Sequence, residues 1–75
     1  MNLAEALKLF QDHAGVNRPQ TQRQASRAWE ALKPHLTRSE ISSLGTAWTH
    51  ATTPGNADRR ELDEVCAELR EAHGL

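Results

Sequence analysis

The sequence is poor in the residues that staple or enlarge a small domain. Cys66 is its one cysteine. No internal disulfide can form, so the usual brace of small secreted domains is missing and a reducing cytoplasm is the expected compartment. Aromatics are scarce: one Phe, two Trp and no Tyr. Besides these rings the large apolar residues are nine Leu, two Val, one Ile and one Met. A core built from so few is thin, near the lower limit for a domain that folds alone. No long apolar run is present, which leaves no candidate for a signal peptide or a membrane span. β-branched residues never alternate over a useful length, which argues against strands. Glycine-rich phosphate loops are also missing.

What remains is helical. Asn2, with Glu5 three residues later, reads as a capped start for a helix from Leu3 to His13. Leu3, Leu7, Phe10 and Ala14 share its apolar face, and Gly15 is placed to end it in a left-handed cap. Thr21 and Gln24 form a second capping pattern, opening a helix that Pro34 ends at about Lys33. Ala25, Ala28, Trp29, Leu32 and Leu36 line its buried side. Thr37 and Glu40 form the third and strongest pattern, before a helix over about Arg38 to Ala51. Its face is Ile41, Leu44, Trp48 and Ala51, and it includes Gly45. A mid-helix glycine costs about 1 kcal/mol against alanine, which points to close approach by another helix, under a Trp ring. Asn56 is the expected cap of a fourth helix, about Ala57 to His73. Leu62, Val65, Cys66, Leu69 and Ala72 make its stripe, and Gly74 sits where a terminating glycine belongs. The predicted fold is all-α, a compact bundle of four short helices forming a single helical domain over 1–75. Its expected core is Leu3, Leu7, Phe10, Trp29, Leu32, Leu36, Ile41, Leu44, Trp48, Leu62, Val65 and Leu69.

The net charge of −1 is a cancellation. Residues 16–53 carry a net +3 and residues 54–75 a net −3. Two charged faces follow. Glu61, Glu64, Glu68 and Glu71 recur at spacings of three and four, one stripe of the fourth helix. Such a stripe suits a basic protein surface; as a solvated face it would be tied by Arg60–Glu64 and Arg59–Asp63 pairs, or would partly face the second helix. Arg18, Arg23, Arg27 and Arg38, with Gln20, Gln22 and Gln24, make a basic face able to grip phosphates.

Catalytic and metal constellations find little support. His13, His35, His50 and His73 are scattered, without a His pair at i,i+4 or a Cys-x-x-Cys. His13 and His73 suit the last turns of their helices, where positive charge meets the helix dipole. Cys66 lies on an apolar stripe and reads as a small buried hydrophobe. No metal and no cofactor are expected, and the chain is not expected to be an enzyme. The leading expectation is a protein-interaction module, a regulator, adaptor or inhibitor, binding a protein partner through its charged helix faces. The alternative is a helix-turn-helix-like regulator that binds nucleic acid, with the third helix offering Arg38, Ser39, Ser42, Ser43 and Thr46 to a groove. A third reading is a homodimer seeded by Leu9 and Val16, which lie off the main stripes, and by Leu75 at the terminus. No membrane partner is expected.

Overall fold

Asn2 lies in extended backbone, and its side chain accepts the Glu5 N–H at 2.8 Å. It therefore satisfies one of the orphan donors at the start of α1, Leu3–Ala14. The computed structural model describes residues 1–16, 18–53 and 59–75. Gly15 does not adopt the left-handed conformation expected of it, having φ −87°. Its missing side chain serves packing instead: a Cβ there would lie 2.7 Å from Arg59 Nη1 and 3.2 Å from its Cγ.

The second helix, α2, is Pro19–Leu32 and begins earlier than the Thr21 cap predicts. Arg18 holds the N-cap position and no side chain caps it. Proline decides this start, because its fixed φ fits the first helical position and its missing N–H would be unpaired there anyway. Thr21 is thus inside the helix, and the Thr21–Gln24 capping box does not form. At the other end the helix does not simply stop. It tightens into a 3₁₀ turn over Lys33–His35, with Pro34 inside it, before Leu36 turns extended.

Thr37 and Glu40 form the expected reciprocal box at the start of α3, Arg38–Thr52. The Glu40 carboxylate accepts the Thr37 N–H at 2.8 Å, and the Thr37 hydroxyl accepts the Glu40 N–H at 3.2 Å. The fourth helix, α4, is Arg60–Ala72. The predicted Asn56 cap and the Ala57 start lie outside the described residues. The end of α4 is as expected: Gly74 has φ +71°. Its N–H donates to the Glu71 carbonyl at 3.3 Å, and the Leu75 N–H donates to that of Arg70 at 2.7 Å. This bond pair is a Schellman closure, which glycine permits at no steric cost.

The four helices form a small all-α bundle, with no strand among the described residues. α1 packs chiefly on α2 and α3 chiefly on α4, and α4 also meets α1. Two hairpins therefore share one core. Leu7, Phe10, Leu32, Leu44, Leu62 and Leu69 are buried as predicted. Leu3, Trp29, Leu36, Trp48 and Val65 are only partly buried but pack against that core, and Ile41 is half-buried. The shortfall in large side chains is met by alanine: Ala6, Ala14, Ala25, Ala28, Ala47 and Ala51 are all buried. Ala6 and Ala47 were not anticipated, and Ala72, placed on the buried stripe by its spacing, is exposed.

Three rings join the hairpins. Phe10 lies 5.7 Å from Trp29 and 5.2 Å from Trp48, the latter edge to face, and the two indoles are 5.5 Å apart. Such arrangements add about 0.5–1.5 kcal/mol per pair beyond area burial. Gly45 fits beneath this cluster as its position suggests, since a Cβ there would sit 3.2 Å from Trp29 Cη2.

Candidate functional site

α2 turns an open, polar surface outward along its first two turns. His13 from the last turn of α1 joins Gln20, Thr21, Arg23, Gln24 and Arg27 around a shallow groove of about 410 Å³. A contiguous depression of about 530 Å³ extends it to Arg18 and Pro19. Arg18, Arg23 and Arg27 thus gather along one concave surface, with no carboxylate of the described residues in its lining. All three are exposed, and none forms an ion pair among the described residues. Both lysines, by contrast, are paired locally: Lys8 with Asp12 at 3.2 Å, and Lys33 with Glu30 at 3.1 Å. Arg38, the fourth predicted member, is exposed at the start of α3 and is not part of the groove.

His13 is the groove residue that sequence reasoning missed. Its Nδ1–H donates to the Leu9 carbonyl at 2.8 Å, which leaves Nε2 as the uncommitted ring nitrogen. Only the folding of α1 against α2 brings it beside the arginines, and no local spacing announces that.

The acidic stripe is divided. Glu61 accepts from His50 Nδ1 at 2.7 Å, so it ties α4 to the end of α3 rather than facing α2 or standing free. Glu64, Glu68 and Glu71 are exposed and form no ion pair among the described residues. Glu68 also borders a groove of about 260 Å³ between α3 and α4, beside Ser39 and Ser43 and above Val65 and Leu69. The expected Arg59–Asp63 contact is long, at 3.7 Å. Arg59 does something the sequence did not suggest: its Nη2 donates to the Gln11 carbonyl at 2.6 Å, satisfying a free acceptor in the last turn of α1. Gln11 in turn donates to Asp63 at 2.9 Å.

A second tie closes the far end of the α3–α4 pair. His73 Nε2 donates to Glu40 Oε2 at 2.8 Å, while the other oxygen of that carboxylate caps α3. The Thr37 N–H holds the Glu40 carboxyl below its ordinary value; partial burial opposes this, and the His73 hydrogen bond assists it. These two ties run from the start of α3 to the end of α4 and from the end of α3 to the start of α4. The two helices are therefore antiparallel.

Chemically the groove can donate hydrogen bonds to an anion and offset its charge, and the stripe can accept them from a cationic surface. Burial pushes the Cys66 thiol up to about 11, and the side chain is fully enclosed. It cannot serve as a thiolate nucleophile in that state. Among the described residues no three His, Cys, Asp or Glu side chains are grouped so as to hold a metal ion. No helix among them is long and apolar enough to cross a membrane. Of the residues expected to seed a dimer, Leu9 packs against the core, Val16 is half-buried, and only Leu75 is exposed. No family model, curated protein or solved structure matches the chain.

Proposed function

We propose that the protein is a non-enzymatic interaction module, a regulator, adaptor or inhibitor, that binds a protein partner through charged helix faces. One observation carries the reading. The arginine groove of α2 and the Glu64, Glu68 and Glu71 stripe of α4 stand on different hairpins, and among the described residues neither is neutralised by an ion pair. Folding has no need of these charges, because the core beneath them is closed by leucine, alanine and the three rings. An enclosed enzyme-like cavity is not among the grooves described, all of which are open and shallow. A single buried thiol suits a reducing compartment such as the cytoplasm.

The groove also supports a second reading, nucleic-acid binding, because its three arginines could contact phosphates. Two observations weigh against it. In a helix-turn-helix the second helix packs across the first, whereas here α2 packs chiefly on α1 and α3 chiefly on α4. The exposed serines of α3 also border Glu40 and Glu68, which repel phosphate.

Affinity capture from the native host, with and without nuclease, separates the two. A protein partner stays bound after nuclease treatment. Loss of every captured protein on nuclease treatment would overturn the protein-binding reading in favour of nucleic acid.

A further inference from the structure

We propose that the α2 groove is a docking site for α4 of a second copy of this chain. The inference rests on reading the charged faces as the working surface, and it names their partner. Arg23 and Arg27 are exposed, unpaired among the described residues and one helical turn apart. Glu64 and Glu68 of α4 are exposed, unpaired by the same measure and also one turn apart. Both pairs have the i,i+4 separation of about 5–6 Å, so two helices laid side by side can match them charge for charge. Glu71 extends the acidic row on the same face of α4, and Arg18, at the N-cap of α2, borders the groove beside Arg23. Arginine donates in a planar fork that takes a carboxylate through two hydrogen bonds, so the match is directional as well as electrostatic.

Within one molecule the complementarity is left unsatisfied: the two rows lie on different hairpins, and no ion pair joins them among the described residues. A net charge of −1 leaves almost no long-range repulsion between copies. Nucleic acid fits less well. The arginine row spans about 14 Å of helix, enough for only a few phosphates, and the unpaired glutamates of the same molecule would oppose a polyanion. Because the groove and the stripe are different surfaces, the contact is head to tail: copies close into a ring or add end to end. The large apolar side chains exposed among the described residues, Met1 and Leu75, are in neither the groove lining nor the glutamate row. The association is therefore salt-sensitive rather than hydrophobic.

Amide spectra of the intact chain, recorded from about 1 mM down to about 20 µM protein at low ionic strength, test this directly. The expected result is concentration-dependent shifts confined to residues 18–27 and 61–71, lost on raising salt to about 0.5 M. The variant Arg23→Glu/Arg27→Glu should lose the shifts. Adding it to the oppositely reversed variant Glu64→Arg/Glu68→Arg should restore them at those segments. All four positions are exposed, so the fold is retained and circular dichroism verifies it. Spectra that do not change on dilution would overturn the inference, as would shifts centred on Leu75 or Met1. Shifts in α2 seen only on adding a short DNA duplex would also overturn it. A strict monomer that still captures another protein after nuclease treatment would end this inference and leave the interaction-module reading standing.

Discussion

The two hairpins are held together by different forces. Along the α1–α2 seam the buried side chains are Ala6, Leu7, Phe10 and Ala14 on one side, and Ala25, Ala28 and Leu32 on the other. No ion pair crosses this seam among the described residues. Alanines let the two helices approach closely, and apolar packing suffices. The α3–α4 pair also buries Leu44, Ala47, Ala51, Leu62, Cys66 and Leu69. It adds a His–Glu tie at each end, His50–Glu61 and His73–Glu40. The contrast shows how a chain with few large apolar residues closes a core. One seam is made tight with small side chains, and the other is fastened at its ends with polar contacts. In both cases the outward face is left free for charge, positive on α2 and negative on α4.

The largest expected effect comes from breaking what the two hairpins share. Phe10→Ala removes the ring that touches both tryptophans. It should cost about 3–5 kcal/mol, comparable with the whole stability of a domain this size. Denaturant titration followed by tryptophan fluorescence should show loss of a cooperative transition. A small change in midpoint would mean that the rings do not join the hairpins. Next is the tight seam alone. Ala28→Leu overpacks α1 against α2 and should cost about 1–3 kcal/mol; Ala28 is fully buried, with no room for three more carbons.

The fastened seam responds to charge. Glu40→Gln keeps the shape of the side chain but weakens both the α3 cap and the His73 tie, at about 1–2 kcal/mol near neutral pH. The carboxyl of Glu40 is held below its ordinary value of 4.5. Its stabilisation is therefore present above that value and lost as pH falls through the lower value of the folded state. Unfolding midpoints of wild type and Glu40→Gln should converge as pH drops through this window. A gap that stays constant down to acid pH would show that the charge of Glu40 contributes nothing to stability. The smallest effect is at Gly45. Gly45→Ala gains about 1 kcal/mol of helix propensity, but its Cβ meets Trp29 at 3.2 Å. Because Trp29 is only half-buried and can yield, the net change should lie within about 1 kcal/mol of zero. The indole emission should shift even where the midpoint does not.

Local signals were the legible part of this fold. The Asn2 and Thr37 caps, the Gly74 terminus and the close approach over Gly45 depend on residues within a turn, or on a missing side chain whose cost demands a reason. The Thr21 box failed because a stronger local rule, proline at the first helical position, sits two residues before it. Other features arise only from tertiary contact. Arg59 reaches back 48 positions to the Gln11 carbonyl, and Glu40 finds His73 across 33. Neither pairing leaves a trace in spacing. The candidate site shows the same division. Arg23 and Arg27 share a face because one helix carries them and Arg18 stands at its N-cap, while His13 joins only through the hairpin. Glu61 matched the stripe by periodicity and was withdrawn from it by His50 on the neighbouring helix.

The central claim is that the unpaired charges of α2 and α4 are the surface this protein works through. Partner capture after nuclease treatment, quantified side by side for wild type, Arg23→Glu/Arg27→Glu and Glu64→Lys/Glu68→Lys, tests it most directly. At least one reversal should abolish capture while the thermal unfolding midpoint stays within a few degrees of wild type. Capture that survives both reversals undiminished, with the fold intact, would contradict the claim.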